Sequence, residues 1–67
     1  MTPETGSRVR SLVDLMDNSG MIVPLGSRGV VIGWEGDRLV VSFDGDPRDG
    51  SDERIATCNR WEVRGTS

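Results

Sequence analysis

The chain has 67 residues, a formal net charge of −3, one Cys and no His. A chain this short makes one domain at most and buries only about 60 % of its unfolded surface, so its core must be small or completed by association. An intramolecular disulfide and the usual Cys/His zinc site are excluded, and the acidic balance argues against a general electrostatic grip on nucleic acid.

No apolar run reaches the ~20 residues of a membrane span, and no signal-peptide pattern opens the chain. The expectation is a soluble cytoplasmic protein. All eight basic residues are Arg. That bias fits a GC-rich genome, and it also fits forked recognition of carboxylate or phosphate.

Residues 1–5 read as a flexible tail. From Ser7 to Asp17, Val9, Leu12, Val13 and Met16 have helical spacing, whereas Val9, Ser11, Val13 and Leu15 alternate as in a strand. A helix would place Arg8 and Arg10 in its first turn and Asp14 and Asp17 in its last, opposing the macrodipole at both ends. Arg8 to Val13 is therefore expected as a first strand, with a helix as the alternative.

Asn18 to Ser27 reads as a loop opened by Asn, Ser and Gly and closed by Pro24 and Gly26. It contains an apolar knot, Met21-Ile22-Val23-Pro24-Leu25. The knot either folds over the core or is displayed to a partner.

Val30 to Trp34 and Leu39 to Phe43 form the clearest feature, a β-hairpin turning at Gly36-Asp37. Unbroken pairing sets Trp34 opposite Leu39, Ile32 opposite Val41 and Val30 opposite Phe43, which makes one continuous apolar face. Gly36 suits the first central position of a type II′ turn. Trp34 is expected in the core with this row.

Residues 44–53 follow, with five Asp or Glu among two Gly and one Pro. Asp44, Asp46 and Asp49 do not make a calcium loop, because Arg48 stands at the third ligand position and no Glu follows at the right distance. A solvated turn is expected, with no metal. Arg54 to Cys58 reads as a strand with Ile55 inward, Asn59-Arg60 as a tight turn, and Trp61 to Arg64 as the last strand. Residues 65–67 are tail.

Five short strands imply a small all-β barrel over residues 6–64. The run VPLGSRGVVIGWEGDRLVVSFDG resembles the P-x-G-x-x-G-x-V…V-x-F-D-G signature of small SH3-like barrels, and is similar to short bacterial and phage domains of unknown function. The resemblance covers about Gly6 to Gly45. It implies that residues 14–27 are the long first loop, that residues 44–53 follow the central hairpin, and that Gly29 holds a tight backbone turn. The aromatic groove of eukaryotic SH3 domains and the Lys-rich loops of nucleic-acid-binding relatives are both missing, so neither specialised function transfers.

Catalysis is not expected. Without His, Cys58 has no ordinary base, and it reads as a small buried hydrophobe. No catalytic residue or cofactor is assigned. The expected function is a non-enzymatic protein-binding module, of phage or mobile-element type, that docks on a host or virion protein through Met21, Ile22, Leu25, Arg60 and Trp61. The alternative is a KOW-like nucleic-acid binder using Arg8, Arg10, Arg60 and Arg64, which would form one patch if the terminal strands are neighbours. Burial of the apolar loop in a homo-oligomer is a third reading.

Overall fold

A computed structural model describes residues 4–44 and 54–66. They form seven strands: β1 (Arg8–Ser11), β2 (Leu15–Met16), β3 (Ile22–Val23), β4 (Arg28–Glu35), β5 (Arg38–Phe43), β6 (Arg54–Asn59) and β7 (Val63–Gly65). A single 3-10 turn, Arg60–Glu62, precedes β7. The main sheet runs β6-β5-β4-β1-β7 and the small one pairs β2 with β3, with every ladder antiparallel. The domain is small and all-β, as expected. The sheets do not close into a barrel, because β6 and β7 stand at opposite ends of the main sheet. The helical alternative for Ser7–Asp17 is excluded, since Arg8–Ser11 is a strand.

The central turn is as expected. Glu35 pairs with Arg38, Trp34 with Leu39 and Gly33 with Val40. Gly36 has φ +61 while among the described residues no non-Gly residue, Asp37 included, has positive φ, the signature of a type II′ turn. Beyond Gly33 the register shifts by one and leaves Ile32 as a bulge. From there Val31 faces Val41, Val30 faces Ser42 and Gly29 faces Phe43.

A one-residue slip inverts which side chains face the core. Val31 is therefore buried, in place of the expected Val30 and Ile32. Trp34 remains 39 % exposed at the end of the row rather than inside it. Gly29 is not a turn residue either; it lies within β4 against Phe43.

The core consists of Val9, Leu15, Val23, Val31, Leu39, Val41, Phe43, Ala56, Cys58 and Val63. Burying each larger aliphatic or aromatic side chain stabilises by about 1.5–3 kcal/mol. Across β5 and β6 the large residues meet small ones: Leu39 faces Cys58 and Val41 faces Ala56. This register turns Ile55 outward, contrary to expectation.

The last strand begins at Val63, because Arg60–Glu62 winds into the 3-10 turn. Glu62 Oε1 accepts from the Asn59 backbone N–H at 2.8 Å and from its Nδ2 at 2.9 Å, which holds the entry to that turn.

Ser11 is buried and fully used. Its Oγ donates to the Pro24 carbonyl and accepts from the Ser27 N–H, both at 3.0 Å. Its backbone N–H donates to Ser27 O, and its carbonyl accepts from Gly26 N–H. The end of the first connection is thereby fastened to the sheet.

Candidate functional site

The first connection, residues 12–27, is more ordered than a loop. Leu15 pairs with Val23 and Met16 with Ile22, forming a short hairpin. Its tip is shaped by Asp17, whose Oδ1 accepts from Ser19 N–H (2.9 Å), Ser19 Oγ (3.0 Å) and Met21 N–H (2.8 Å). Burial pushes the Asp17 carboxyl up. The Met21 and Ser19 donors together with the Arg54 guanidinium outweigh this and hold it below its ordinary value.

Of the apolar knot only Val23 is buried. Met21, Ile22 and Leu25 are 56 %, 59 % and 62 % exposed. Their backbones, however, are each held by a charged side chain. Met21 N–H donates to Asp17 and Leu25 N–H to Asp14 Oδ1, both at 2.8 Å, while Ile22 O accepts from Arg54 Nη1 at 2.9 Å. The connection is thus pinned while its apolar side chains face outward.

Further apolar residues extend this surface. Met16 lies directly opposite Ile22 and is exposed, as are Leu12, Val13 and Ile55. Asn18 N–H donates to Ile55 O at 2.9 Å, tying the hairpin tip to β6. Sequence reasoning missed Met16 because the first strand was expected to end at Val13, and Ile55 because it was expected to point inward. Trp61 is 71 % exposed on the 3-10 turn, with Arg60 exposed beside it. The turn is tied to the other end of the connection, where Leu12 N–H donates to Glu62 O at 2.8 Å. Trp61 is thus anchored near Leu12, and Ile22 near Arg54.

The basic residues gather on another face. β1 and β7 are neighbours, and Arg10 lies opposite Arg64 on one side and Arg28 on the other. Arg8 shares their face. Arg60 is not in this row, since it begins the 3-10 turn. Arg28 was missed because the strand was expected to start only at Val30.

Catalytic chemistry finds no foothold in Cys58. Burial, then the Glu62 charge, push its thiol up to about 11, so it stays protonated at neutral pH. Among the described residues no three His, Cys, Asp or Glu side chains come together in a metal-binding group. The solvated turn expected over residues 44–53 lies outside the described residues, apart from Asp44. Among the described residues no helix is long and apolar enough to cross a membrane. No protein-family model, curated protein or solved structure matches this chain.

Proposed function

We propose that this chain is a non-enzymatic protein-binding module that docks through its first connection. One observation carries the reading: Met21, Ile22 and Leu25 expose their side chains while Asp17, Arg54 and Asp14 hold their backbones. Holding an apolar segment in place before binding lowers the ordering cost of association. An exposed apolar surface also gains from desolvation when a partner covers it. Trp61 and Arg60, on the adjoining turn, belong to residue types enriched at interfaces.

We read the fold as an open form of an SH3-like barrel. The five strands of the main sheet, the long first connection and the short central hairpin support this reading. The function rests on the displayed residues and not on that likeness.

The test compares affinity capture by the wild-type chain and by Met21→Ser/Ile22→Ser. Loss of a captured protein by a double variant with unchanged melting supports docking through this segment. Retention of every captured protein, or unfolding of the double variant, overturns it.

A further inference from the structure

We propose that the outer face of β4, β1 and β7 binds the phosphate backbone of a nucleic-acid duplex, with Arg28, Arg10 and Arg64 as a cross-strand row and Arg8 beside it. Val9 and Ser11 point inward, so Arg8 and Arg10 point outward. Arg10 lies opposite Arg28 in one ladder and Arg64 in the other. Adjacent strands are about 4.8 Å apart, so the row spans about 10 Å. Arg8 faces Val30, and its carbonyl accepts from Thr66 N–H at 2.8 Å. Between these strands lies a cavity of about 310 Å³, lined by Arg8, Arg10, Arg28, Val30, Asp44 and Thr66.

This arrangement costs the free protein some stability, which a bound anion returns. Like charges directly across a ladder are destabilising, and Arg10 makes two such pairs. The chain has eleven Asp and Glu, yet among the described residues none of the four guanidiniums is ion-paired. Asp44 lines the cavity and its N–H donates to Arg28 O at 2.8 Å; among the described residues it is the one carboxylate there, against several cations.

Charge density selects the ligand. Guanidinium forks match phosphate oxygens. A duplex carries one negative charge per ~1.7 Å of axis, a density that an extended acidic peptide, with carboxylates on one face only every ~7 Å, does not reach. Among the described residues no aromatic lines the cavity, so bases are not stacked and single strands are not favoured. Contacts of this kind fix position without reading sequence.

This site is separate from the apolar one, and either can fail alone. The test titrates a short labelled DNA duplex of mixed sequence, from low salt to roughly 0.2 M, by fluorescence anisotropy. The expected slope of log K against log salt is about −3. Arg10→Gln and Arg28→Gln should each reduce its magnitude by about 1. Arg38→Gln, at the central turn, should leave it unchanged. Melting curves establish that each variant is folded, and Arg28→Gln serves if Arg10→Gln is not. The proposal is overturned by no binding at low salt, or by an unchanged slope in the folded row variants. It is equally overturned if poly-glutamate or inorganic phosphate displaces the label as well as unlabelled duplex at equal charge.

Discussion

Gly29 lies opposite Phe43 in the central ladder, so close that a Cβ on Gly29 would stand 2.7 Å from Ser42 O and 2.9 Å from Val41 Cγ1. Phe43 and Val41 are fully buried, so neither yields without disturbing the core. Gly29→Ala should destabilise by about 1–3 kcal/mol through overpacking. In a domain of this size that lowers the Tm by roughly 4–8 °C per kcal/mol. A thermal melt unchanged from wild type would show that the two strands separate more easily than this packing requires.

The same ladder shows why the fold was only partly legible. The turn could be placed because Gly36 is the residue suited to its positive φ. The bulge could not, because Val30, Val31 and Ile32 are all β-branched and either alternation looks apolar. Ile55 misled for a related reason. It is the most apolar residue of its strand, but Leu39 and Val41 leave room only for Cys58 and Ala56. Arg8, Arg10 and Arg64 could be grouped by alternation once the terminal strands were taken as neighbours. Arg28 joined them only when the ladder was known. Nothing in the sequence announces that charged side chains hold the Met21–Leu25 backbone, since those contacts bridge residues far apart in the chain, as Arg54 and Ile22 do.

Val23 and its neighbours offer a contrast within one short strand. Val23 is 1 % exposed, whereas Ile22 is more than half exposed. Val23→Ala should cost roughly 2 kcal/mol, from lost burial and the cavity left behind. Met21→Ser and Ile22→Ser should each stay within about 0.5 kcal/mol of wild type. Urea melts of the three variants check the ordering. Equal losses would mean that Met21 and Ile22 are core residues.

Asp17 governs the hairpin tip. Its carboxyl is held below the ordinary 3.8 by donors that favour the charged form. The unfolded state therefore takes up a proton first on acidification. The stabilisation is complete above the unfolded value and is lost as the pH falls through the lower folded one. Asp17→Asn keeps an acceptor but should remove this acid-side loss. Asp17→Ala should remove the acceptor as well and speed hydrogen exchange at the Met21 and Ser19 amides. Amide exchange read by NMR distinguishes the three proteins. Equal protection in wild type and Asp17→Ala would show that the tip does not depend on this carboxylate.

Cys58 makes the opposite pH prediction. Its thiol is buried against Leu39 and is pushed from 9.0 to about 11, by burial first and then by the Glu62 charge. The folded state holds its proton where the unfolded state has lost it. Stability from this source is complete below the unfolded value and falls as the pH rises through the folded one, across roughly pH 9 to 11. The full difference corresponds to about 2–3 kcal/mol. Urea melts across that range should show the loss in wild type, while Cys58→Ala should lack this component. Native wild type should also react slowly with a thiol reagent near neutral pH and quickly once unfolded. Rapid labelling of the native protein would mean that β6 opens away from Leu39, and the alkaline loss of stability would then be small.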